Sequence, residues 1–315
     1  MNDYRSSELV ALLEEYINQG HSQAETAKQL CVSEAMISGY RKGTYKGSNK
    51  NVERKLEELF RYTREEEVQK ERTAQYVITS DYVPTSVSQD IYSSIKYCAI
   101  EKGIVIIDGD AGIGKTKAAE KYVMENPTTA IYIQVRPTTS TVLGILRVLA
   151  IALKLPEKRS KIELGIAIRS KLEGSNKLLI IDEAQHLSFL ALEEIRTLSD
   201  PDTITGAQGV GIVLIGNSEV FDRMSGRQEA RFAQQFSRMS MHRPYLTLNI
   251  TKDDVVLLFP SIKGQAEELN FLHSICQSKW GVRGAKNVFK NAANNSDISY
   301  RGMLTMAKTM GIGLI

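Results

Sequence analysis

The chain has 315 residues, 42% of them hydrophobic and 24% charged, with a formal net charge of +3. That length accommodates one medium domain and one or two small ones, and the composition excludes a disordered, fibrous or disulfide-rich protein. Apolar runs such as residues 178–181 are too short to cross a bilayer, and the polar first residues carry no signal-peptide core. Cys31, Cys98 and Cys276 are too few and too scattered for a disulfide framework or a zinc site, so the expected compartment is the reducing cytosol.

Residues 1–72 read as all-helical. Leu9, Leu12, Leu13, Tyr16 and Ile17 recur at helical spacing. Ser22 stands where a cap would open a short helix over about 23–30, and Ser33 where a cap would open another to about residue 40. A further helix over about 51–64 carries Val52, Leu56, Leu59 and Phe60 on one face. Helix, capped turn and short helix in this order suggest a helix-turn-helix, with Ala24, Ala27 and Leu30 facing its core and Ile37 anchoring the second helix. That helix would present Ser33, Glu34, Ser38 and Tyr40 to a major groove. Arg41, Lys42, Lys46 and Lys50, with no acid among them, suit phosphates. The segment is nearly neutral overall, which also suits a helical protein-interaction module.

Residues 73–88 lose the helical period and read as an extended linker. From 89 to 250, helices alternate with short apolar strands expected at 104–108, 130–135, 177–182, 211–215 and 245–250. This alternation predicts an α/β fold, a parallel sheet with helices on both faces. From 251 to 315 only helices recur, near 253–259, 266–280, 284–294 and 300–310, which predicts a small helical C-terminal domain.

Gly109, Asp110, Ala111, Gly112, Ile113, Gly114, Lys115 and Thr116 fit G-x-x-x-x-G-K-[ST] and follow the apolar run 104–107. A strand ending in such a loop, with a helix starting at Lys115, makes a nest of backbone N–H groups that wraps nucleotide phosphates. Lys115 would neutralise the β- and γ-phosphates of ATP or GTP, and the Thr116 hydroxyl would ligate Mg²⁺. Downstream, four apolar residues lead into Asp182 and Glu183. At the carboxyl end of a buried parallel strand, Asp182 would hold Mg²⁺ through water and Glu183 would polarise the attacking water. The strand expected at 211–215 ends in Gly216-Asn217, where a polar side chain would hold that water or the γ-phosphate. Arg238, at the end of a helical stretch, would reach a neighbouring subunit's γ-phosphate, with Arg231 and Arg243 as rivals. The plain alternatives are a helix-capping pair for the two acids, a turn residue for Asn217 and a surface arginine for Arg238. His186 reads as a local turn residue.

Two further basic stretches suit sequence-independent DNA binding, or a merely solvated basic face. One holds Lys154, Lys158, Arg159 and Lys161; the other holds Lys279, Arg283, Lys286, Lys290, Arg301 and Lys308.

The phosphate loop, 179–184 with His186 and Leu187, 211–217 and Phe236-Ser237-Arg238, in this order behind the N-terminal module, resemble the family of the bacteriophage Mu transposition protein B. These are AAA+ ATPases that select target DNA, and the resemblance spans nearly the whole chain. It implies an AAA+ core and ATP-dependent helical filaments on duplex DNA with little sequence preference. It also implies delivery of that DNA to a DDE-type transposase, and a bacterial cytosolic setting with a phage or mobile-element origin. By position, Lys115 and Thr116 are the Walker A pair, Asp182 and Glu183 the Walker B pair, Asn217 sensor 1 and Arg238 the arginine finger. In related target selectors the loop after the second core strand grips DNA, which points here to Arg136, Thr138 and Thr139, and beyond them to Lys158 and Arg159. One departure is that Gly284-Ala285-Lys286 is followed by Asn287 where sensor 2 is usually Arg, leaving Arg283, Lys286 and Asn287 as candidates. A helicase loader or initiator-type ATPase shares this core. A nucleotide-switched helix-turn-helix regulator would instead bind one short operator and form no filament.

Overall fold

A computed structural model describes residues 5–74, 76, 82–156, 160–202, 206–218 and 239–313. The chain divides into two compact units, Met1–Gln75 and Tyr76–Ile315.

The first unit contains α1 (Ser7–Asn18), α2 (Gln23–Gln29), α3 (Glu34–Lys42) and α4 (Asn49–Ala74). Ser6, Ser22 and Ser33 cap the first three helices, each accepting a hydrogen bond from a backbone N–H of the first turn. Glu25 returns the favour at α2 by accepting from the Ser22 N–H, a capping box. Leu9, Leu13, Ala27, Leu30, Ile37, Tyr40, Val52 and Leu56 form its core. Two expectations are corrected. Ala24 is exposed, and Thr26 is buried on that helix instead, its hydroxyl donating to the Ser22 carbonyl. Tyr40 faces no groove: lying three residues after Ile37, it shares the same buried stripe, and its hydroxyl donates to Glu53 Oε1 at 3.0 Å. Helix α4 runs ten residues beyond the expected end because the stretch 65–74, rich in Glu, Lys, Gln and Arg, has helix propensity without an apolar period.

The second unit is built on β1 (Ile104–Gly109), β2 (Ala130–Gln134), β3 (Leu178–Asp182), β4 (Gly211–Ile215) and β5 (Met239–Tyr245). They form one parallel sheet in the order β2-β3-β4-β1-β5. Alternation along each strand sorts side chains to two faces. Val105, Ile107, Ile180, Val213 and Ile215 meet α5 (Ser86–Glu101) and α6 (Lys115–Glu125) on one face. Ile104, Ile106, Leu179, Ile181 and Leu214 meet α7 (Val142–Ala152), α8 (Lys161–Leu172) and α9 (Phe189–Arg196) on the other. The fold is thus the expected α/β arrangement. The fifth strand is not where it was expected. It ends at Tyr245, where the expected strand began, and residues 247–249 form a turn in which Leu248 is exposed. Strand β5 borders only β1, so its Met-Ser-Met-His-Arg-Pro-Tyr sequence has no need of a continuous apolar run, and an edge tolerates Pro244.

Four helices follow: α10 (Lys252–Leu258), α11 (Ala266–Gln277), α12 (Gly281–Asn294) and α13 (Tyr300–Thr309). They pack into the same core as α5 and α6 through Val255, Phe259, Leu272, Val288 and Phe289.

Candidate nucleotide site

Because β4 lies between β1 and β3, the carboxyl ends of these three strands face one cleft of about 560 Å³. The phosphate loop follows β1. Gly109 has φ +135°, and a Cβ there would lie 1.9 Å from the Tyr245 carbonyl oxygen, so only glycine fits against β5. The loop is pinned from beneath. Asp110 N–H donates to that same carbonyl at 2.9 Å, and the Asp110 carboxylate accepts from Thr247 N–H at 2.7 Å and Thr247 Oγ1 at 3.0 Å. Gly112, Ile113 and Gly114 line the cleft with Ala111, and Gly114, at φ +108°, hands the chain to α6. Lys115 Nζ donates to the carbonyls of Gly109 and Asp110, both at 2.8 Å. Burial lowers the Lys115 pKa against the opposing pull of Asp182, Asp110, Glu183 and Asp108.

Asp182, only 2% exposed, ends β3. Its Oδ2 accepts from Thr116 Oγ1 at 2.8 Å and from the Tyr132 hydroxyl at 2.7 Å, and its Oδ1 accepts from Glu183 N–H at 2.9 Å. Glu183 adopts a left-handed backbone, φ 57° and ψ 38°, a conformation uncommon outside glycine that is held by its surroundings. Gln185 Nε2 donates to Glu183 Oε2, and exposed His186 sits in the turn Ala184–His186. One hydroxyl and one carboxylate, both hard oxygen donors beside a phosphate loop, fit Mg²⁺, which uses few protein ligands and shares the rest with substrate phosphates and water.

Asn217 lines the same cleft. Arg238 and Arg231 lie outside the described residues. The third arginine-finger candidate, Arg243, forms an ion pair with Asp90 on α5, and Tyr245 donates to the same carboxylate. All three sensor 2 candidates, Arg283, Lys286 and Asn287, line the cleft on α12. The start of that helix abuts the loop: a Cβ on Gly281, at φ +57°, would lie 2.8 Å from the Ala111 carbonyl oxygen. Burial, then the charge of Lys117, lower the Lys286 pKa. Lys286 is therefore half-buried in the cleft, while Arg283 lines the cleft and is also exposed.

The DNA candidates divide differently. Arg136 and Thr138 are exposed at the turn after β2, while the Thr139 hydroxyl accepts from Arg136 N–H and donates to Arg136 O, both at 3.0 Å, closing that turn. Lys158 and Arg159 lie outside the described residues. In the first unit Lys42 is exposed, Ser38 is half-buried, and half-buried Arg41 donates to Gln23 Oε1 at 3.0 Å.

Sequence reasoning missed Tyr132, Gln185 and Thr247. Tyr132 is half-buried; burial, then the Asp182 charge and the hydrogen bond to it, raise its phenol pKa. Its only signal was a hydroxyl near the end of a strand, legible once β2 is known to lie beside β3.

A family model described as an AAA domain matches residues 99–224. The crystal structure of Cdc6p from Pyrobaculum aerophilum superposes with TM-score 0.55 at 17% identity, covering 74% of this chain and 70% of that one, a likeness of fold. The chain is 27% identical to the Mu-like prophage FluMu DNA transposition protein B of Haemophilus influenzae, over 87% of this chain and 93% of the relative. It is 30% identical to the ATP-dependent target DNA activator B of Escherichia phage Mu, over 86% of this chain and 84% of the relative. The chain, an AAA ATPase, belongs to the family of these phage target DNA activators.

Proposed function

We propose that the chain uses ATP and Mg²⁺ to hold target DNA, presents that DNA to a transposase and activates transposition. The observation carrying this reading is the convergence of Lys115, Thr116, Asp182, Glu183 and Asn217 on one cleft in a chain of this family.

The backbone N–H groups of the phosphate loop and Lys115 bind the ATP phosphates, and the loop's anchorage to Thr247 keeps them aligned. Thr116 and Asp182 would hold magnesium, which when bound neutralises charge on the β- and γ-phosphate oxygens. Glu183 takes a proton from the attacking water, and Asn217 orients that water or the γ-phosphate. Arg238 completes the site of a neighbouring subunit, so bound ATP joins subunits and hydrolysis releases them. Arg136, Lys158 and Arg159 neutralise the phosphates of duplex DNA without reading bases, Thr138 adds a hydroxyl contact, and Thr139 shapes the turn that presents Arg136 and Thr138. The segment 1–72 is a helix-turn-helix module meeting DNA through Ser38, Arg41 and Lys42, followed by the linker expected at 73–88, of which α4 takes the first two residues and α5 the last three, then a core of 89–250 and a lid of 251–315. Subunits stack as a helical filament on DNA in the cytoplasm, and the partner is a DDE-type transposase. Among the described residues no helix is long and apolar enough to cross a membrane.

The test is DNA retention. Lys115→Ala should abolish ATP-dependent DNA binding, and Glu183→Gln should give long-lived DNA complexes in ATP. Unchanged affinity and lifetime in both variants would overturn the coupling. Electron microscopy with an ATP analogue and random duplex should show filaments; discrete rings or dimers would count against the assembly.

A further inference from the structure

Three donors converge on the Asp182 carboxylate. Thr116 and Glu183 N–H belong to the two motifs themselves. The third, the Tyr132 hydroxyl at 2.7 Å, comes from the neighbouring strand and belongs to neither. In the β2–β3 register Gln134 pairs with Asp182, and Tyr132, two residues earlier, lies on the same face as Gln134. A backbone bond from Val135 N–H to the Asp182 carbonyl at 2.9 Å extends the ladder past that point. The phenol is therefore delivered by a rigid strand, with its ring half-buried.

An ionised carboxylate offers about four lone-pair directions. With three donors on Asp182, roughly one direction is left to face the cleft. The terminal torsion of an aspartate is otherwise soft, with broad minima. Thr116 Oγ1 also donates to Oδ2, and its lone pairs stay available to magnesium, so the two hydroxyls hold that oxygen from two elements, α6 and β2. Tyr132 is the donor on Oδ2 with no other task in the site.

We propose that Tyr132 is a positioning residue for magnesium: by holding Asp182 Oδ2 it aims the carboxylate at the metal and sets the Mg²⁺ concentration at which the site binds nucleotide. The inference rests on the Mg²⁺–ATP reading of the cleft. Hydrogen-bond partners that orient a metal-binding group commonly change metal affinity by about 10-fold or more when removed.

Tyr132→Phe deletes the hydroxyl and keeps the ring. In the full-length protein, binding of a fluorescent ATP analogue would be titrated with Mg²⁺. The half-saturating Mg²⁺ concentration should rise about tenfold, while affinity for the analogue in EDTA and the melting temperature of the nucleotide-free protein stay at wild-type values. In an Asp182→Asn background, where the phenol meets no carboxylate, Tyr132→Phe should add less than about twofold. A Mg²⁺ dependence equal to wild type, with or without a lower melting temperature, would confine the phenol to packing and overturn the inference. Wild-type binding with no response to Mg²⁺ would instead overturn the reading of the cleft.

Discussion

Two glycines of the phosphate loop separate backbone strain from collision. Gly109 combines φ +135° with a neighbour 1.9 Å from any added Cβ, whereas Gly114, at φ +108°, has nothing within 4 Å. Gly114→Ala should therefore cost about 1–2 kcal/mol from backbone strain alone. Gly109→Ala must in addition push β5 from β1 and should cost more than about 3 kcal/mol. Urea denaturation of both variants checks the order, and equal losses would contradict it. At this scale Lys115, Thr116, Asp182, Glu183 and Asn217 were legible because each sits at a fixed offset from a glycine or an apolar run. Tyr132 and Thr247 were not, because their partners are 50 and 137 residues away.

The elements are joined at their ends as much as by their faces. Asp254, 2% exposed on α10, accepts from Ser86 N–H at 2.6 Å and Ser86 Oγ at 2.7 Å at the start of α5, and from Thr251 at its own helix cap. One carboxylate thus ties a core helix to the first of the C-terminal helices. Burial would raise its pKa, but the hydrogen bonds from Thr251 and Ser86 outweigh burial and lower it from the ordinary 3.8. A depressed carboxylate stabilises the fold fully above its unfolded value, and the contribution is lost as pH falls through the lower folded value. Asp254→Asn should lose about 2 kcal/mol at pH 7, and the gap to wild type should narrow in acid below the ordinary value. A gap independent of pH would show that charge plays no part. Helical period located α10 within a residue or so, yet could not show that its cap reaches across the chain to α5.

At the scale of the molecule, each unit has a core of its own. A fragment of residues 76–315 should fold and keep the rise in melting temperature that Mg²⁺–ATP gives the full chain; loss of that rise would place part of the nucleotide site in the first unit. DNA affinity should divide by salt dependence. Arg136→Ala removes one phosphate contact under the proposed reading, so the slope of log affinity against log salt should shrink by about 0.9. An unchanged slope would remove Arg136 from the DNA surface.

By itself the sequence determined the fold class, the phosphate loop, the acidic pair and the polar residue after β4, since these depend on periodicity and short spacing. The edge strand was misplaced, since its burial depends on one neighbour and leaves no apolar run, while Leu246 and Leu248 gave an apolar signal at exposed positions. Only the tertiary structure decided what surrounds the site. Strand order sets Tyr132 beside Asp182, the turn after β5 beneath Asp110, and the start of α12 against the loop. Such contacts join residues remote in the chain, and only the packing of the sheet and helices brings them within hydrogen-bonding or van der Waals range.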